Sequence, residues 1–179
     1  LIMEEVEAST TNEPSSSMSP SLQPSFSPTS YWSKSTLNWE QHGLAVIGNT
    51  SDDQLGTSVA ISGDSNTLVV GAPGVSDNDD RPGYVRVYMQ EDDKWTQLGE
   101  AIEGDANGDM FGWSVSISSD GTTVAIGAPT NNDFSGYVKV YEAVEDGDGG
   151  VASWQKVGQD IDGETGNVSS GFSVSLSAD

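Results

Sequence analysis

Side-chain oxygens recur at alternate positions in Asp105-Ala106-Asn107-Gly108-Asp109, the pattern that opens an EF-type calcium loop. The pattern is incomplete. Met110 stands where such a loop needs glycine, and no glutamate follows at the bidentate position. Asp105, Asn107 and Asp109 are therefore the only metal candidates and calcium the only cofactor to consider, with a solvated Asn/Asp/Gly turn as the simpler reading. Asp77-Asn78-Asp79-Asp80 and Glu91-Asp92-Asp93 are runs of adjacent acids. Acid–base catalysis needs one carboxyl desolvated and raised in pKa, and exposed acidic runs offer the opposite environment. The single histidine, His42, has no spaced partner of triad type, and no Gly-x-Ser-x-Gly occurs. No catalytic residue is expected.

The chain of 179 residues carries 28 Asp and Glu against 6 Lys and Arg, a net charge of -22. Phosphate contacts need a positive surface, so a nucleic-acid partner is not expected. Without cysteine there are no disulfides, no thiolate chemistry and no Cys-type zinc site. The apolar runs, such as Leu44-Ala45-Val46-Ile47, are only a few residues long, which predicts no membrane-spanning segment. Leu1-Ile2-Met3, with acids following at once, does not look like a signal peptide.

Composition changes near residue 36. Residues 1–36 hold 11 Ser and four of the seven Pro but none of the 21 Gly, and they lack any apolar period. Such a segment cannot bury enough apolar surface to offset the entropy of ordering it, so it reads as a disordered tether.

Residues 37–179 repeat. Trp95-Thr96-Gln97-Leu98-Gly99 returns as Trp154-Gln155-Lys156-Val157-Gly158, and faintly as Trp39-Glu40-Gln41-His42-Gly43. Gly71-Ala72-Pro73 and Gly127-Ala128-Pro129 lie 56 residues apart, and Tyr84-Val85-Arg86-Val87-Tyr88 returns as Tyr137-Val138-Lys139-Val140-Tyr141. Aligned this way, Asp105, Asn107 and Asp109 correspond to Asn49, Ser51 and Asp53 in the first copy, and to Glu164, Gly166 and Val168 in the third. The metal-like pattern decays between copies.

Within a copy the apolar period is two. Trp113, Val115 and Ile117 alternate with serines, as do Phe172, Val174 and Leu176, which gives strands with one apolar and one hydroxyl face. Asp120-Gly121 suits a tight hairpin turn. Thr123-Val124-Ala125-Ile126 and Thr67-Leu68-Val69-Val70 read as strands covered on both faces. Tyr84, Tyr88, Tyr137 and Tyr141 fall on one strand face around Arg86 and Lys139; packing between neighbouring units is the simpler account, contact with a glycan or protein the other. The recurring tryptophans read as packing residues. The expected fold is all-β, with β-propeller blades of four antiparallel strands in an incomplete ring. Residues 37–48 would supply a last strand, 55–103 and 111–162 two blades, and 171–179 the start of a third; the chain reads as a fragment.

Phe111-Gly112 followed by Gly127-Ala128-Pro129, with Leu55-Gly56 and Gly71-Ala72-Pro73 at the same separation, resembles the FG-GAP repeat of integrin α-subunit-type propellers, in a short-repeat form. The resemblance implies a seven-bladed propeller at the cell surface that binds macromolecules, often with calcium in its loops. It fails at one point. Between the two motifs stand only Gly63-Asp64-Ser65-Asn66 and Ser119-Asp120-Gly121-Thr122, too short for the six to eight oxygens calcium prefers.

The combined expectation is a non-enzymatic, secreted or cell-surface recognition or adhesion scaffold with an unidentified protein or glycan ligand. Alternatives are an accessory propeller of a larger secreted hydrolase or lyase, and a structural wall or matrix protein. Asn49-Thr50-Ser51 and Asn167-Val168-Ser169 are N-glycosylation triplets.

Overall fold

In the computed structural model, the described residues are 41, 43–74, 81–130, 134–145, 147, 150–164, 166 and 168–177. The tether 1–36, Trp39, His42, Asp77–Asp80 and Asn167 lie outside them. Apart from Gln41, all the described residues belong to one unit, Gly43–Asp179.

β-Branched residues and period-two patterning build two antiparallel meanders. The first runs β1 (Ser58–Ile61), β2 (Thr67–Ala72), β3 (Tyr84–Glu91) and β4 (Lys94–Gln97), in that spatial order. A short β5 (Ile102–Glu103) also pairs with β3. The second runs β6 (Ser114–Ile117), β7 (Thr123–Ala128), β8 (Tyr137–Glu145) and β9 (Val151–Asp162). Equivalent residues hold equivalent registers: Ser58 faces Gly71, and Ser114 faces Gly127. The two four-stranded antiparallel sheets are the expected blades of an incomplete ring.

The Trp-x-x-x-Gly signature acquires a physical meaning in the outer strands. Gly99 (φ 68°) lies where the strand breaks between β4 and β5, and Gly158 (φ 69°) lies beside the register shift that bends β9 against β8. A positive-φ residue here lets the outer strand irregularly cross the sheet edge at little steric cost.

One apolar cluster joins both sheets: Val69, Val85 and Val87 from the first, Val115, Val124 and Ile126 from the second, with Phe111 between. The buried strands β2 and β7 are apolar at consecutive positions because both their faces are covered.

Three local expectations need correction. Residues 43–48, read as part of a last strand, run as irregular chain. Residues 172–177, read as the opening strand of a third copy, also form no ladder. In the first two copies this strand pairs with the Gly-Ala-Pro strand that follows it. Asp120-Gly121 does not form a two-residue turn. The loop spans residues 118–122, and only Gly121 takes a positive φ, 76°.

Candidate functional site

The repeated motif residues form the joint between the two blades. Gly112 N–H donates to the Gly127 carbonyl of its own blade at 3.1 Å, as Gly56 N–H does to Gly71 at 2.9 Å. The Gly112 carbonyl points the other way and accepts from Ser58 Oγ of the preceding blade at 2.7 Å. It sits directly over Gly71, where a Cβ would run into it and into Ser58 Oγ. The arrangement recurs one blade on: Ser114 Oγ donates to the Gly171 carbonyl at 2.7 Å, over Gly127. Gly112 thus bridges the two blades, its N–H bonded to Gly127 of its own blade and its C=O to the Ser58 hydroxyl over Gly71 of the preceding one. Ala72, Pro73 and Ala128 are buried alongside, and so is Pro129.

The hydroxyl face of the inner strands is accordingly a joint. Ser58 faces the second blade and Ser114 faces residues 170–176, with Leu176 N–H donating to Ser116 Oγ at 3.0 Å. The odd-numbered residues face the opposite way, and Val115 and Ile117 are buried in the core shared with the first blade. Phe111 is fully buried, its ring 6.3 Å from Tyr137 and 6.5 Å from Tyr141. Trp154 reaches back from β9, donating Nε1–H to the Leu98 carbonyl at 3.2 Å. Trp154 is thus a packing residue.

A buried carboxylate lies three residues ahead of Gly56 and of Gly112. Asp53 accepts from the Asn49 and Thr50 amides at 2.8 and 3.0 Å, from Thr50 Oγ1 at 2.7 Å and from Tyr84 Oη at 2.8 Å, and pairs with Arg81. Burial alone would raise its pKa. The bonds from Thr50, Tyr84 and Asn49 favour the anion more strongly and bring it to about 2. Asp109, also buried, accepts from Tyr137 Oη at 3.0 Å and from the Ala106 amide at 3.1 Å. Burial, then the Asp109 charge, holds the Tyr137 hydroxyl far above its ordinary range; burial pushes Tyr141 up to about 12, with Asp105 and Asp160 adding to it. The spacing of Asp53 and Asp109 was legible as a repeat, but nothing in the sequence paired them with Tyr84 and Tyr137, 31 and 28 positions away.

This geometry decides how well Asp105, Asn107 and Asp109 suit calcium. The Asp105 carboxylate is paired with Lys139 Nζ, which lies buried over the Tyr137 ring and 3.8 Å from Asp160. A fixed cation already neutralises Asp105, Asp109 is turned inward onto Tyr137, and Asn107 is exposed. The donor set does not fit the ion. The short turns between the two motifs close on themselves in the same way. Asp64 accepts from Ser62 Oγ and the Asn66 amide, and Asp120 from Ser118 Oγ at 2.6 Å and the Thr122 amide at 3.0 Å. These bonds lower both pKa values. Among the described residues no three His, Asp or Glu groups cluster as a metal site.

Glu91 ends β3, paired with Lys94, and Asp92 and Asp93, at φ 47° and 58°, form the exposed β3–β4 turn. Tyr84 is half-buried and Tyr88, Tyr137 and Tyr141 are buried, so this face is a packing surface. Asn49 is exposed, its Oδ1 accepting from Arg86 at 2.5 Å. Among the described residues no helix is long and apolar enough to cross a membrane.

The FG-GAP repeat pattern matches residues 43–88 and 95–141. Both matched segments end in the Tyr-Val-x-Val-Tyr strand, and the second starts in β4, so this copy of the sequence repeat straddles the joint between the two sheets. No curated protein matches the chain.

Proposed function

The chain belongs to the FG-GAP repeat family, and from that premise we propose that it is a non-enzymatic recognition or adhesion scaffold displayed outside the cell or on its surface. Proteins with this repeat are typically extracellular. The observation that carries the reading is the use to which the polar motif residues are put. Asp53, Asp105, Asp109, Arg81 and Lys139 pair with one another or with tyrosines to fix one chain segment on the next; Asp53, Arg81 and Tyr84 line a cleft of about 260 Å³, but there too they are bonded to one another and to Thr50. Loops at the ends of the sheets then carry recognition. The net charge of -22 favours a basic protein or a glycan reached through bridging cations.

Antibody labelling of intact, unpermeabilised source cells tests the location: surface signal is expected, and signal only after permeabilisation rejects the reading. Binding of the immobilised protein to a basic-protein and glycan panel tests recognition. The expected interaction weakens between 50 and 500 mM salt.

A further inference from the structure

The run Asp105-Ala106-Asn107-Gly108-Asp109 does not suit a metal, but it holds the only Asn-Gly step in the chain. That step is chemically reactive. Glycine has no side chain to shield its amide nitrogen, which can close on the preceding carboxamide as a five-membered succinimide. Asn107 is exposed, so solvent reaches it. The other asparagines among the described residues, Asn49 and Asn66, precede the β-branched Thr50 and Thr67. Their carboxamides are also bonded, Asn49 Oδ1 accepting from Arg86 at 2.5 Å and Asn66 Nδ2 donating to Asp64 at 3.0 Å.

The attacking nitrogen is held by the joint between the blades. Gly108, at φ 82°, donates its N–H to the Arg81 carbonyl of the first blade at 3.0 Å. Its own carbonyl accepts from Thr130 Oγ1 of the second blade. Phe111 N–H donates to the Pro82 carbonyl at 3.0 Å, so the segment that follows is fastened to the same stretch of the first blade. The Gly108 nitrogen must give up its proton to attack, and that proton is engaged by Arg81. Local opening of the joint therefore has to precede the reaction.

We propose that Asn107 is a site of spontaneous deamidation whose rate is set by opening of the joint at Gly108. The Gly108 nitrogen loses its proton to solvent base and attacks Asn107 Cγ. The N–Cγ bond forms, the Cγ–Nδ2 bond breaks, and ammonia leaves with a proton from water. A second water opens the succinimide at either carbonyl. Opening at Cγ leaves aspartate; opening at the backbone carbonyl leaves isoaspartate, whose main chain runs through Cγ. The net change is water gained and ammonia lost. The product adds a negative charge between Asp105 and Asp109, and the lengthened backbone of the iso form shifts the Gly108 N–H away from Arg81.

Incubation of the intact protein in mildly alkaline buffer, followed by mass spectrometry of the tryptic peptide 95–139, tests this. Fragmentation is expected to place a gain of about 1 Da at Asn107. The gain is expected about tenfold more slowly than in the same chain unfolded in urea. Thr130→Val, which removes the bond to the Gly108 carbonyl, is expected to speed it severalfold. Isoaspartyl methyltransferase is expected to label the product, and Asn107→Gln to abolish the label and the gain at this position. No gain in the folded protein over about a hundredfold the time the unfolded chain needs overturns the proposal. So does an equal rate in the two states, a label that survives Asn107→Gln, or a product that is aspartate alone, which needs no attack by Gly108. A wild-type rate in Thr130→Val with native circular dichroism overturns it as well. If Thr130→Val fails to fold, wild-type rates in sub-denaturing urea decide: they must rise as the joint loosens.

Discussion

The Gly112 carbonyl and the Ser58 hydroxyl, 54 positions apart, are hydrogen-bonded at 2.7 Å across the joint between two blades. The bond explains why glycine recurs on both sides. Gly112 must approach Gly71 more closely than any side chain on Gly71 allows. Gly71→Ala is expected to cost about 2–3 kcal/mol, because its Cβ meets a backbone oxygen that only a shift of the whole second blade can relieve. Ser58→Ala removes one hydrogen bond and is expected to cost about 1 kcal/mol. Urea denaturation of both variants checks the ranking, and a Gly71→Ala protein as stable as wild type would sink this account of the motif.

Phe111 fills the space between the blades, and the first copy has Leu55 at that position. Phe111→Ala is expected to cost about 3–5 kcal/mol through the cavity it leaves against Tyr137 and Tyr141. Phe111→Leu is expected to cost roughly 1 kcal/mol. Thermal melts of the pair measure the difference. Equal losses would mean that ring stacking, rather than volume, matters there.

Acid stability should depend on Asp53. Its folded pKa of about 2 lies below the ordinary value of 3.8, so its contribution is complete above pH 4 and disappears as the pH falls through 2. A shift of this size amounts to about 2 kcal/mol. Denaturation free energies between pH 5 and pH 2 should fall more steeply in wild type than in Asp53→Asn. At the alkaline end the sign reverses. Tyr141, raised from 10 to about 12, gives stability that is complete below pH 10 and lost on rising to pH 12. Absorbance at the tyrosinate band should show two classes of tyrosine, the later appearing together with unfolding.

Calcium should leave the protein unchanged. Lys139 already neutralises Asp105, and Asp109 is bonded to Tyr137. Isothermal titration calorimetry up to millimolar calcium is expected to be flat, and chelator should not shift the melting temperature. A saturable heat lost in Asp105→Asn would reverse this conclusion.

Period-two apolar runs, turn residues and a 56-residue recurrence determined the all-β meander, the number of strands in each copy and the motif positions, because each is a local consequence of alternation and backbone freedom. The sequence could not show what the hydroxyl face of the inner strand does. Serines alternating with Val115 and Ile117 read the same whether they meet water or the next blade; only packing placed Ser58 under Gly112 and Ser114 under Gly171. Spacing likewise made Asp105 and Asp109 resemble metal ligands. A strand some 30 residues further on delivers Lys139 and Tyr137 to their carboxylates, and long-range contacts of that kind leave no local pattern to read. Of the expected strands 37–48 and 171–179, the described stretches 43–48 and 172–177 form no ladder, because alternation marks a segment able to pair while a ladder requires a neighbouring strand that no local pattern specifies.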